Sequence, residues 1–172
     1  MKTQLPMMWY RIAALVVIGD QLTKRWVEYR LKFQAPIELL PVLEFHYAEN
    51  RGAAFSFLHD AGGWQRWLFA AIALVVGVGI AVWMSRLKRE QNLLLASLAL
   101  VLGGAVGNLI DRVRYGYVVD FIGAHWGDHY FPSFNVADMA ITIGAGLMLL
   151  DMFLNPHHHD SKAAAKTNEA TK

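Results

Sequence analysis

The stretch WLFAAIALVVGVGIAVWMS, residues 67–85, runs for 19 residues without a charge. A helix of that length and composition can cross the hydrocarbon core of a bilayer, which needs roughly 20 apolar residues. A second uncharged run, QNLLLASLALVLGGAVGNLI, fills residues 91–110. Only RLKRE, residues 86–90, lies between them, so the two spans form an antiparallel hairpin closed by a short basic loop.

The rest of the chain fits that setting. Of 172 residues, 55% are hydrophobic and only 17% charged, an awkward composition for an ordinary soluble domain. The formal net charge is +2, from 16 Lys and Arg against 14 Asp and Glu. The basic residues are scattered between apolar segments, which gives nucleic-acid binding no support. The chain has no cysteine, and this excludes disulfides, thiolate metal sites and a cysteine nucleophile. Chemistry must come from Asp, Glu, His, Ser or Lys.

Two more apolar stretches carry ionisable groups: residues 7–26, interrupted by Arg11 and Asp20, and residues 137–153, bounded by Asp138 and Asp151. Interfacial aromatics mark the ends of spans, with Trp9, Tyr10 and Trp26 on the first, Trp67 and Trp83 on the second and Phe153 on the fourth. A cleavable signal peptide, with Lys2 before an apolar core at residues 12–19, is the competing reading of the N-terminus. Asp20 and the Lys24-Arg25 pair follow directly and no small-x-small cleavage site appears.

The expected architecture is therefore a membrane α-helical domain over residues 1–155, with four transmembrane helices at about 7–26, 67–85, 91–110 and 137–153. The polar, low-complexity tail at 156–172, with His157, His158 and His159, reads as disordered. Four spans put both termini and the short basic loop on one side, and residues 28–66 and 111–136 on the other. Arg86, Lys88 and Arg89 with the tail lysines favour cytoplasm for the first side; Lys24, Arg25, Arg30 and Lys32 argue against it, and charge counting leaves the orientation open. The segment IELLPVLEFHYAENRGAAFSF, residues 37–57, predicts a small β element between helices 1 and 2, lying on the membrane surface.

Carboxylates near the apolar runs invite two explanations each. Asp138, three residues after Asn135, can close a capping box at the head of the fourth helix and meet its positive dipole end. It also has company: Asn108, Asp111, Arg112, Asp120 and Asn135 fall within 30 positions of it on the same predicted side. Polar groups at membrane depth are costly and mark a site by default. Asp120, in YVVDFI, is either pressed among apolar neighbours or turned to water from an edge strand. If the two aspartates meet, one keeps its proton; the ionised one takes a proton from water while the other polarises a carbonyl, a peptide-hydrolysing dyad. They stand 18 positions apart, a separation that allows many geometries.

Asp20 and Lys24, at i and i+4, can pair across one helical turn. Gly103 and Gly107 allow close helix contact, and Asn108 and Arg112 lie one turn apart on the same helix. His125, Asp128 and His129, with His46 or His59, offer possible metal ligands but match no zinc-helix pattern, and surface histidines are the simpler reading. Ser97, inside the third span, lacks a nucleophile turn. A proton-coupled transporter using Asp20, Asp138 and Asp151 is a rival reading, opposed by the absence of an inverted repeat. A metal-dependent hydrolase is the other.

DQLTK at 20–24, NRGAAFS at 50–56, GNLIDR at 107–112, VVDF at 118–121 and FNVAD at 134–138 together resemble, in order, the motifs of bacterial lipoprotein signal peptidase. The resemblance covers the chain to about the end of the fourth span. It implies an inner-membrane aspartic peptidase of four transmembrane helices, with both termini cytoplasmic and the motif-bearing loops periplasmic. Such an enzyme cleaves prolipoproteins just before a diacylglyceryl-modified cysteine and needs no metal or other cofactor. The implied catalytic residues are Asp120 and Asp138. Asn50, Gly104, Asn108, Arg112 and Asn135 would arrange the substrate backbone and the dyad, and Asp20 and Lys24 would brace the first helix. Asp111 is the more structural acid. Prolipoproteins and membrane lipids are the expected partners, with the chain acting as a monomer. Met139 departs from the pattern, standing where a small or hydroxyl residue is expected.

Overall fold

The computed structural model describes residues 7–52, 63–88, 90–127 and 129–156. Residues 53–56 of the NRGAAFS motif, His59, Arg89, Asp128 and the 157–172 tail with its three histidines lie outside that set. Four helices and four strands follow in the order α1 (Met7–Leu31), β1 (Ile37–Leu40), β2 (Leu43–Asn50), α2 (Trp64–Arg86), α3 (Asn92–Arg114), β3 (Val118–Trp126), β4 (His129–Tyr130) and α4 (Val136–Leu154). By length and composition, α2, α3 and α4 can cross a membrane.

α3 is the central helix and packs against α1, α2 and α4. Its inner residues Leu94, Leu95, Leu98, Ala99 and Leu102 close a core with Met84 of α2 and Ala13 of α1. Three glycines let its neighbours approach. A Cβ on Gly103 would fall 2.7 Å from the Val16 Cβ of α1, and one on Gly107 would fall 2.6 Å from Asp20 Oδ2. On Gly104 it would collide with the Ala137 carbonyl of α4. The buried positions of α1, Ala13, Asp20, Lys24, Val27 and Leu31, repeat at helical spacing, so Asp20 and Lys24 face α3 while its arginines stay exposed.

The sheet is antiparallel, in the order β1-β2-β3-β4. The β element expected between helices 1 and 2 is present as β1 and β2; the sheet also takes β3 and β4 from the chain between α3 and α4, which was not expected from the sequence. Pairing buries the apolar residues of β3: Val118, Val119 and Phe121 are each at most 3% exposed. Helix α1 also outlasts its expected end at residue 26 and continues to Leu31. The extra turn buries Val27 and Leu31 against Phe121, whose ring meets Phe45 edge-on at 5.9 Å. α3 likewise runs one turn beyond residue 110 and ends where Gly116, at φ 86°, adopts the left-handed conformation and its N–H bonds the Arg112 carbonyl at 3.2 Å.

Gly104→Val forces backbone apart at the α3–α4 contact, and overpacking of this kind costs about 1–3 kcal/mol. Gly79→Ala, where a Cβ meets open space, should leave thermal stability in detergent unchanged or slightly raised. Thermal unfolding of both variants checks this, and equal midpoints would contradict the close approach.

Candidate active site

Lys24 is the polar hub. Its side chain is 3% exposed, and its ammonium lies 2.9 Å from Asp20 Oδ2, 2.9 Å from Asp111 Oδ2 and 2.9 Å from Asn108 Oδ1. Three acceptors meet three donors, so the buried cation is fully satisfied. Asp20 Oδ1 accepts the Ala137 N–H at 2.9 Å, and Asp111 Oδ2 accepts the Val119 N–H at 3.2 Å. The i,i+4 pair read from sequence thus exists, but it is buried and fastens α1 to α3, α4 and β3.

From this hub two asparagines reach the aspartates. Asn108 donates through Nδ2 to Asp138 Oδ1 at 2.7 Å. Asn135, fully buried, donates through Nδ2 to Asp120 Oδ1 at 2.6 Å and to Asn108 Oδ1 at 3.3 Å. Asn50, at the end of β2, donates to Asp120 Oδ2 at 3.0 Å. Asp120 is 2% exposed on β3, an inner strand, which removes the edge-strand reading. Burial first, and then the charge of Asp138, push the Asp120 carboxyl up to about 7, against the pull of the Asn50 and Asn135 hydrogen bonds and of Lys24.

The capping box is also real. Asp138 N–H bonds Asn135 Oδ1 at 3.0 Å, and Asn135 N–H bonds Asp138 Oδ2 at 3.3 Å. Asp138 therefore caps α4 with one oxygen while the other faces Asn108. Arg112, above the Phe69 ring at 5.4 Å, sets a positive charge felt by Asp138, Asp120 and Asp111. Gly104, one turn before Asn108 on α3, admits the first turn of α4 at the distance these bonds require. Met139 is 42% exposed, so the departure from the family pattern falls on the outer face of α4 and not in the network.

All nine residues singled out from the sequence gather around this junction. Sequence reasoning passed over Gln21, inside DQLTK, whose amide donates to Asp111 Oδ1 at 2.8 Å and to the Gly107 carbonyl at 3.2 Å. It also missed Tyr47, whose hydroxyl meets Tyr117 and Glu49 at 3.2 Å each beside Asn50.

Elsewhere, His46 lies 2.7 Å from Ser133 Oγ and 3.0 Å from Glu44 Oε1. The second approach is not aligned as a hydrogen bond, so no charge relay runs through it. His125 stacks on Tyr130 at 5.1 Å, and among the described residues no group of His, Asp and Glu is arranged to hold a metal.

A family model for signal peptidase (SPase) II matches residues 12–154. The chain is 54% identical over 147 residues to the lipoprotein signal peptidase of Ectopseudomonas mendocina, covering 84% of this chain and 87% of that one. It is 50% identical over 146 residues to that of Shewanella pealeana, covering 85% and 86%. A bacterial membrane enzyme solved by the in meso method at 2.3 Å resolution superposes with a TM-score of 0.78 at 29% identity, over 91% of this chain and 93% of the other. Matched along most of its length by the family model and by these relatives, the chain belongs to the signal peptidase II family of peptidases.

Proposed function

We propose that the chain removes the signal peptide from diacylglyceryl-modified prolipoproteins, cleaving just before the lipidated cysteine through water activated by Asp120 and Asp138. One observation carries the reading: the two aspartates come from separate elements, yet each is held by one of two asparagines that are bonded to each other, Asn135 and Asn108.

Asp138 stands in the first turn of α4, where the helix dipole favours the carboxylate. Asp120, pushed up to about 7, keeps its proton in mildly acidic solution and is partly protonated at neutral pH. A water between them gives a proton to Asp138 as its oxygen attacks the scissile carbonyl, while the Asp120 carboxyl donates a hydrogen bond to the developing oxyanion. Collapse of the tetrahedral intermediate breaks the C–N bond and returns the proton from Asp138 to the leaving amine. The chemistry calls for no metal or cofactor. Asn108, Asn135 and Asn50 orient the carboxylates, Arg112 supplies compensating charge, and Asp20, Lys24 and Gly104 hold the helices that carry them.

The same reading makes α1 a fourth span. Its outward residues Leu15, Ile18 and Leu22 are apolar and 53–65% exposed, while Asp20 and Lys24 turn inward. Residues 1–155 then form one integral domain of the bacterial inner membrane, with both termini and the 156–172 tail cytoplasmic and the sheet and dyad at the periplasmic face. One copy carries the whole network, which supports a monomer. A substrate helix can leave its acyl chains in lipid while its scissile bond meets water at this junction.

Three outcomes are expected. Asp120→Asn and Asp138→Asn, purified and checked for folding, should each lose about 10²–10⁴-fold in cleavage of a lipidated precursor, with wild-type activity unaffected by EDTA. Near-normal turnover by either variant would remove that aspartate from the mechanism. The wild-type kcat/KM should fall as pH rises through about 7, because Asp120 then loses the proton it must donate. Linkage gives the third. Folded Asp120 holds a proton that the unfolded chain releases near 3.8, so its contribution to stability declines as pH rises from about 4 to 7. The unfolding midpoint of Asp120→Asn relative to wild type should therefore be higher at pH 8 than at pH 5; a pH-independent difference would contradict the raised carboxyl.

A further inference from the structure

A groove of about 710 Å³ opens where α1 leaves its apolar stretch, lined by Trp26, Tyr29, Arg30, Gln34 and Ile37 among others. Its volume is in the range of small-ligand sites. Trp26 and Arg30 stand one helical turn apart and so share a face of the helix, and both line the groove. Arg25 is exposed one residue before Trp26. Among the described residues neither arginine has an acidic partner. The nearby Glu28 is 3.7 Å from Lys32, and Glu38 alternates to the strand face opposite Ile37. The lining contains a cation and no anion.

The surroundings are apolar where a water-facing loop would be polar. Tyr29 and Phe33 are 85% and 89% exposed, and Ile37, Leu39 and Leu40 of the edge strand β1 are 44–57% exposed. Aromatic side chains beside unpaired arginines at the end of a membrane helix are the composition of a headgroup-level surface.

We infer that this groove seats the phosphate-bearing headgroup of one anionic phospholipid from the surrounding leaflet, with Arg30 as the phosphate ligand. The acyl chains then run down the outer face of α1, past Leu22 and Ile18, and the lipid moors β1, and through it the sheet, to the bilayer. A net negative headgroup is preferred over a zwitterionic one because the lining has no carboxylate to meet an ammonium group. The inference rests on the reading of α1 as a membrane span.

The test uses the full chain in detergent, titrated with phosphatidylglycerol or phosphatidylcholine, with retained lipid counted by native mass spectrometry. Wild type should retain one phosphatidylglycerol in preference to phosphatidylcholine. Arg30→Gln should weaken that retention about tenfold or more, the size of one lost charge-assisted contact, and Arg30→Lys should restore part of it. Equal retention by wild type and Arg30→Gln, or equal retention of the two lipids, overturns the site. So does retention unchanged by Arg30→Gln together with capture of an extended peptide on the β1 edge, which would make that edge a peptide-docking strand.

The absence of cysteine makes the underlying reading separable, because a spin label on Leu15→Cys in phosphatidylglycerol vesicles has no background. Oxygen accessibility typical of the bilayer interior keeps α1 as a span whatever the lipid result, whereas water-like accessibility removes the span and the site with it.

Discussion

An ammonium group in an apolar interior is costly unless every proton on it finds an acceptor. Lys24 meets that condition with Asp20, Asp111 and Asn108, and each acceptor leads to a different part of the fold. Asp20 accepts one first-turn backbone N–H of α4, that of Ala137, Asp111 holds β3 through Val119, and Asn108 holds Asp138. Loss of one partner from such a cluster leaves a buried charge uncompensated, typically at about 3–5 kcal/mol. The cluster therefore fixes the relative placement of α1, α3, α4 and the sheet with directional bonds, which apolar helix packing inside a membrane does not supply.

The Asn135–Asp138 capping box uses the same economy of groups. A cap and a reactive carboxylate are usually alternatives when a sequence is read; on the mechanism proposed, they are here two oxygens of one side chain. Capping fixes the rotamer of Asp138 and places it in the favourable field of the helix N-terminus. Asp120 has the opposite environment, an inner strand with apolar neighbours, and its proton is correspondingly hard to remove. Two like carboxyl groups are thus made unlike by where the backbone puts them.

The helical part of this arrangement was legible because uninterrupted apolar runs of 19 and 20 residues leave few alternatives. The polar junction was legible as a set of residues but not as a geometry: DQLTK and GNLIDR could be marked, while Gln21 could be seen to bridge them only once α1 and α3 lay side by side. The sheet was the weakest part of the reading. β3 begins with the buried run Val118–Val119–Asp120–Phe121, and that burial comes from pairing with β2, some 70 positions earlier, a long-range event that local alternation does not encode. The last turn of α1 was missed for a related reason, since Val27 and Leu31 find their apolar partner, Phe121, on that same distant strand.

The order in which the network is threaded through the chain has a consequence for its synthesis. Of the four described helices, Asp20 and Lys24 belong to the one synthesised earliest, whereas Asn135 and Asp138 belong to the one synthesised latest. The capping box exists only once α4 is helical, and its bond to Asn108 only once α4 lies against α3. A nascent chain that has inserted three helices has Asp120 but not its counterpart, so on the mechanism proposed it has no means of cutting a peptide. On that mechanism assembly itself acts as an activation step, and hydrolytic competence arrives with the packing of α4 against α3.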